Sequence, residues 1–241
     1  MNYRLIAILT IIFIGLGVFF SLMYSPALGI SSFSVKGNEV LSENEIIENV
    51  QKYKNKNILL VNSEEIKNNL IEKESYIKDV IVNKIYPNKL EINIYERKPI
   101  AKIINDNSIL VFDKEGYILE EVKSNIQENV PLIRGVGYSF SNNRIIFTPP
   151  FEKLVHELED LQFTLIKDLN LIEYIKAQNN KFKIELVILN SNIKVKLGEI
   201  ENLARKFQIL EATILRIKDE NLEIDYINLQ YPEKPVYKTE N

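Results

Sequence analysis

The chain has 241 residues, with 30 Lys and Arg against 33 Asp and Glu, one histidine and no cysteine. A net charge of −3 with both signs scattered leaves no basic stripe for a nucleic acid, and without cysteine no disulfide or thiolate metal site can form. Past the first thirty or so residues, enough chain remains for two domains of roughly 100 residues each.

Leu5 to Tyr24 reads LIAILTIIFIGLGVFFSLMY, a run without a single charge. At about 1.5 Å of rise per residue it matches the thickness of a bilayer's hydrocarbon core, and a helix there satisfies its own backbone hydrogen bonds. A cleaved signal peptide is the alternative, with a cut near Ser25-Pro26-Ala27. Its apolar region would usually be only about 7–15 residues, so a single-pass anchor is the expectation. Arg4 and the N-terminal amine precede the span, which places residues 1–4 in the cytoplasm and the body outside it.

Residues 25–32 form a short Pro/Gly/Ser linker, and Phe33-Ser34-Val35 reads as a strand ending at the turn residues Gly37-Asn38. Ser42 and Glu45 are spaced as a capping box, and Ile46, Ile47, Val50 and Tyr53 continue as one apolar helix face. A second helix opens at Asn62 or Ser63, with acids in its first turn where the dipole favours them; its buried face is Ile66, Leu70 and Ile71. The period then changes to two. Val80, Val82 and Tyr86 share a strand face, and Leu90, Ile92 and Ile94 another, with Pro87-Asn88 between them. The order strand, helix, helix, strand, strand predicts a small module with two helices on one side of a three-stranded sheet.

Downstream, Ile100–Ile104, Ile109–Phe112 and Tyr117–Val122 read as short strands separated by hairpin loops. Val130 to Gly135 reads as a crossing segment. Helical spacing returns after Pro149-Pro150 in Phe151, Leu154, Val155, Leu158, Leu161, Leu165, Leu169 and Ile172. Strands are expected at Lys181–Leu189 and Ile193–Leu197, a helix across Ile200 to Ile217, and a final strand at Leu222–Tyr231. Lys238 to Asn241 reads as a frayed end. The fold class is therefore α+β: a membrane helix, a small β-α-α-β-β domain, then a larger strand-rich domain.

Catalytic sets are missing. His156 begins HELED, in which position 160 is Asp where a zinc-protease helix needs a second histidine, so a solvated helix histidine is the plainer reading. No GxSxG elbow or phosphate-cradling glycine loop occurs. Asp113-Lys114-Glu115-Gly116 lacks the later ligands of a calcium loop and reads as a turn. Glu120 and Glu121 point opposite ways on a strand. No catalytic residue, cofactor, metal site or small-molecule substrate is expected. What remains is surface. Glu96-Arg97-Lys98-Pro99 reads as a solvated domain junction or a hinge. Tyr231-Pro232-Glu233-Lys234-Pro235-Val236-Tyr237 reads either as an open edge for a partner strand or as a tail folded back on its own sheet.

Taken in order, Phe33 to Asn38, Tyr86 to Leu90, Glu96 to Ala101, Val130 to Gly135, Val195 to Gly198, Lys206 to Leu210 and Ile224 to Leu229 resemble the bacterial cell-division family FtsQ/DivIB. The resemblance spans nearly the whole chain. It implies a POTRA domain at 33–98, a β domain at 99–231 and a C-terminal edge segment at 232–241. It further implies a non-enzymatic scaffold at the division septum that binds the small bitopic proteins FtsB/DivIC and FtsL. In the family a partner strand adds to the last strand of the β domain, which by position assigns Leu229, Gln230, Tyr231, Val236 and Tyr237 to partner binding. The rivals are a POTRA-bearing chaperone or secretion component that binds unfolded polypeptides, and a tethered wall-modifying enzyme.

Overall fold

The computed structural model describes residues 3–122, 130–160, 169–176, 182–188 and 193–239. The chain divides into two compact units, Met1–Arg97 and Lys98–Asn241.

The first unit begins with helix α1 (Tyr3–Met23), long and apolar enough to cross a membrane and buried nowhere along that window. Strand β1 (Ser32–Lys36), helices α2 (Glu43–Val50) and α3 (Ser63–Lys73), and strands β2 (Ile77–Ile85) and β3 (Lys89–Glu96) follow. The sheet order is β1-β3-β2, with β1 parallel and β2 antiparallel to β3. Local chemistry accounts for each start and stop. Gly37 holds φ +80°, and a Cβ there would lie 2.3 Å from the Ile94 carbonyl oxygen; only glycine turns the chain here without strain. Ser42 and Glu45 close the expected capping box, and Asn62 caps α3 through the Glu64 amide. The carboxylate of Glu96 accepts from the amides of Glu39, Val40 and Leu41 at 3.0, 2.8 and 3.0 Å, fastening the β1–α2 loop to the end of β3. Ile46, Val50, Tyr53, Ile66, Leu70, Val80, Leu90, Ile92 and Ile94 form the core. Tyr86 does not share the Val80 face: β2 ends at Ile85 and Tyr86 stands exposed in the turn.

In the second unit come β4 (Pro99–Asn105), β5 (Ser108–Asp113), β6 (Ile118–Val122), β7 (Leu132–Arg134), β8 (Tyr138–Ser141) and β9 (Arg144–Phe147). They are followed by α4 (Pro149–Asp160), β10 (Leu169–Lys176), β11 (Phe182–Ile188), β12 (Lys194–Gly198), α5 (Leu203–Asp219), β13 (Ile224–Asn228) and β14 (Val236–Thr239). Nine strands make one mixed sheet in the order β14-β13-β12-β11-β10-β7-β4-β5-β6, and β8-β9 is a separate hairpin. The apolar faces of α4 and α5 (Phe151, Leu154, Val155, Leu158; Leu203, Phe207, Leu210, Ile217) share one core with Ile103, Phe112, Leu186, Val195, Leu197 and Ile227 from the strands. Three rings cluster where α4 begins: Phe147 lies 4.7 Å from Phe151 and 5.6 Å from Phe112, centroid to centroid.

Three expectations change here. Of the helix read through Ile172, α4 holds Phe151 to Leu158; Leu161 and Leu165 fall outside the described residues, and Leu169 and Ile172 belong to β10, paired with both β7 and β11. Apolar spacing alone did not separate the two because Leu169 to Lys176 fits helix and strand, and sheet pairing decides. The last strand read as Leu222–Tyr231 is shorter, Ile224–Asn228. Lys238 and Thr239 are not frayed but lie in β14.

Candidate functional site

The polar residues singled out in the sequence have plain local surroundings. His156 is exposed on α4, and no group of three His, Cys, Asp or Glu could hold a metal ion among the described residues. Asp113 is buried because its Oδ1 accepts the amides of Glu115 and Tyr117 at 2.9 and 2.8 Å, which closes the β5–β6 hairpin turn. Lys206 is the other buried charged side chain among the described residues. Its Nζ donates to the Glu199 carbonyl at 2.8 Å, and burial pushes its pKa down, against the pull of Glu201, Glu199 and Glu157.

The sheet edge is different. β14 is the outermost strand, paired on one side to β13. The tail therefore does fold back on its own sheet, and in doing so it becomes the new edge. Its register is Asn228 opposite Val236, Ile227 opposite Tyr237 and Tyr226 opposite Lys238. On the other side of β13 the Leu229 amide donates to the Lys196 carbonyl at 2.8 Å. Backbone groups alternate sides along a strand, so Ile227 and Leu229 turn toward β12, while Tyr226 and Asn228 turn toward β14. Val236 and Lys238 then bond inward to β13, and the amides and carbonyls of Tyr237 and Thr239 point away from the sheet.

Side chains alternate with the same parity. Tyr237 packs against the core beneath the sheet, whereas Val236 is 55% exposed and Lys238 is exposed. On that outer face Lys194 and Lys196 of β12 join Tyr226 and Val236, with the Lys196 ammonium 5.3 Å from the Tyr226 ring centre. The face is apolar at its middle and cationic around it. Tyr231, 77% exposed, stands in the turn just before β14.

The five residues assigned to partner binding thus split. Leu229 is fully buried and its amide is bonded to Lys196, so its side chain belongs to the core next to the edge. Gln230 lies against Gly198, where a Cβ would meet its Cγ at 3.0 Å, and its amide donates to Asn228 Oδ1 at 3.0 Å. Tyr231 and Val236 are open. Tyr237 offers backbone, not its ring. Position in sequence could not reveal this split, nor that strand parity turns the Thr239 backbone the same way as that of Tyr237. At the opposite end of the sheet, β6 is met at Ile118 by the β8–β9 hairpin: the Ile118 amide donates to Asn143 and the Asn143 side chain donates back.

Comparison with known proteins covers both units. A family described as POTRA domain, FtsQ-type, matches residues 28–97, and one described as FtsQ/DivIB, C-terminal related, matches residues 98–236. The cell division protein DivIB of Clostridium tetani is 27% identical over 221 residues, 88% of this chain and 79% of that one. DivIB of Clostridium acetobutylicum is 27% identical over 214 residues, 88% of this chain and 83% of that one. The solved major extracytoplasmic domain of DivIB from Geobacillus stearothermophilus, its trans isomer, is 15% identical, covers 47% of this chain and 87% of that one, and superposes with a TM-score of 0.36.

Proposed function

The chain belongs to the FtsQ/DivIB family of cell-division proteins, and from that premise we propose that it is a non-enzymatic scaffold anchored in the cytoplasmic membrane at the division septum. In this reading residues 1–4 lie inside, 5–24 span the bilayer, and 25–32 lead to a POTRA domain at 33–98. The β domain at 99–231 and edge segment at 232–241 lie outside the cytoplasm. Its partners are small bitopic division proteins of the FtsB/DivIC and FtsL types. The supporting observation is β14: an outer strand whose backbone groups at Tyr237 and Thr239, turned outward by strand parity, meet no partner strand among the described residues, beside exposed Tyr231 and Val236.

A partner segment pairs with β14 by strand addition, which supplies affinity through backbone bonds and specificity through alternate side chains. Tyr231 is the aromatic anchor, a residue type that buries large area at low entropic cost. Lys194, Lys196 and Lys238 favour a segment carrying carboxylates. Confinement to one membrane raises the effective concentration of partner and scaffold, so weak contacts suffice. The test uses the full chain in vesicles with an FtsB/DivIC-type partner. Tyr231→Ala is expected to weaken binding by about tenfold, one hot-spot contact, with Tm unchanged. Unchanged affinity would remove the edge from the proposal. A fluorescent fusion forming a mid-cell ring supports the septal role, and uniform peripheral signal speaks against it.

A further inference from the structure

The end of α1 does not dangle from the first unit. The side-chain amide of Asn57 donates to the carbonyls of Leu22 and Met23 at 3.0 and 2.8 Å, two of the acceptors that a helix C-terminus leaves without intrahelical partners. The Asn57 side-chain oxygen Oδ1 in turn accepts the Leu59 amide at 2.9 Å. Beyond the helix, Ile30 exchanges hydrogen bonds with Lys56 and Asn55 at 3.0 and 2.9 Å, the Ile58 amide donates to Leu28 at 2.8 Å, and the Ser31 amide donates to Asn88 at 2.8 Å. Gly29 passes so close that a Cβ would sit 3.2 Å from the Pro26 carbonyl oxygen and 3.3 Å from that of Asn55. Residues 54–60 are thereby held against the end of the span through Asn57, and the β2–β3 turn at 86–88 is tied to the segment that follows the span through Ser31 and Asn88. Lys84 at the end of β2 reaches the Leu59 carbonyl at 3.5 Å.

Those loops carry an unusual surface for an aqueous domain. Leu60 is 66% exposed, and Leu59, Ile85, Tyr86 and Tyr24 are exposed as well. Lys52, Lys54, Lys56, Lys84 and Lys89 lie in the same stretches, and no acid occurs between Asn49 and Ser63 or between Val80 and Leu90, although the whole chain is net negative. A 21-residue helix is about 31 Å long, close to the hydrocarbon thickness, so Met23 lies at its boundary. Tyr3 and Tyr24, one at each end, suit the two interfaces. Whatever Asn57 grips is therefore at headgroup depth.

We propose that this face of the first unit is seated in the outer membrane–water interface of the same bilayer, Leu59, Leu60 and Tyr86 entering the headgroup boundary and Lys54, Lys56 and Lys84 meeting anionic lipid phosphates. The inference rests on α1 spanning the bilayer. Apolar side chains with basic neighbours are the composition that binds such an interface, and continuity with the anchor makes the lipid their occupant. The first unit then stands at a fixed height and tilt.

The cysteine-free chain allows a direct test. Full-length protein carrying Ile11→Cys, Val40→Cys, Leu60→Cys or Tyr86→Cys is labelled with an environment-sensitive fluorophore. Each is reconstituted in phosphatidylcholine–phosphatidylglycerol vesicles whose acyl chains are brominated near the headgroup or at depth. Val40 lies beyond the far end of β1 from the span and serves as the aqueous control. Labels at 60 and 86 are expected to be quenched several-fold more than the label at 40, by shallow bromines, while the label at 11 is quenched by deep ones. Quenching at 11 without 60 or 86 overturns the inference and leaves the anchor standing. No quenching at 11 overturns both, and equal quenching at 40 and 60 overturns the assigned face. Combining Lys54→Glu, Lys56→Glu and Lys84→Glu is expected to at least halve quenching at 86; an unchanged signal overturns the headgroup role of the lysines.

Discussion

Residues 26–31 and residues 231–239 invite comparison. Both are short, punctuated by proline or glycine, and next to a regular element, and both read in sequence as connectors or ends. Both pair. The difference lies in how many sides are used. Ile30 and Ser31 are bonded on opposite sides, to the 54–58 loop and to Asn88, whereas among the described residues β14 is paired only to β13. A segment satisfied on both sides transmits position; a segment satisfied on one side retains donors and acceptors to offer. The first arrangement suits a joint that holds a domain at its anchor, the second an edge that recruits.

The largest effect expected at the recruiting end is structural. Leu229→Ala removes a fully buried side chain from beneath the last strands and should cost about 2–5 kcal/mol, read as a fall in the denaturant midpoint of the second unit. If the midpoint stays put, Leu229 is not the core residue described. Smaller and more informative is a pair of prolines. Lys238→Pro deletes an amide directed at β13 and should cost about 1–3 kcal/mol. Thr239→Pro deletes an outward amide, the position where an edge tolerates proline. It should leave the midpoint within about 0.5 kcal/mol while weakening partner binding about tenfold, the worth of one backbone bond. Equal stability losses from the two prolines would refute the parity assigned to β14.

Elements with their own chemical punctuation could be read directly. Ser42 with Glu45, Asn62 and Gly37 each name a boundary through one local interaction, and each lies where that interaction requires. β10 and β14 could not be read this way. Leu169 to Lys176 satisfies two periodicities, and only pairing with β7 and β11 decides between them. Pro232 and Pro235 argue against a strand locally, yet they lie before Val236 and leave β14 itself free of proline. At the candidate site Tyr231 and Val236 were legible as apolar residues after the last clear strand. Burial of Leu229, and the split between the ring and backbone of Tyr237, follow from strand parity, which a chain read in one dimension does not contain.

The joint can be probed through Tyr53, which immediately precedes the loop that grips residues 26–31. Its hydroxyl donates to Glu65 on α3 at 2.8 Å, and the ammonium groups of Lys52 and Lys56 stand 5.1 and 5.0 Å from its ring centre. Burial, with the Glu65 hydrogen bond and charge added, pushes its pKa up to about 12. An unfolded tyrosine titrates near pH 10, so the folded state holds this proton more tightly. The stability it contributes is complete below pH 10 and is lost as pH rises through 12. Tyr53→Phe keeps the ring and both cation–π contacts but loses the hydroxyl, and should cost about 1 kcal/mol at neutral pH, since exposed Glu65 regains water. That deficit should shrink above pH 10, vanish near pH 11 and reverse in sign by about pH 12, because other tyrosines and lysines titrate alike in both proteins. A deficit constant across that window would mean that the Tyr53 proton does not hold the joint, and that the grip on residues 26–31 comes from the backbone bonds alone.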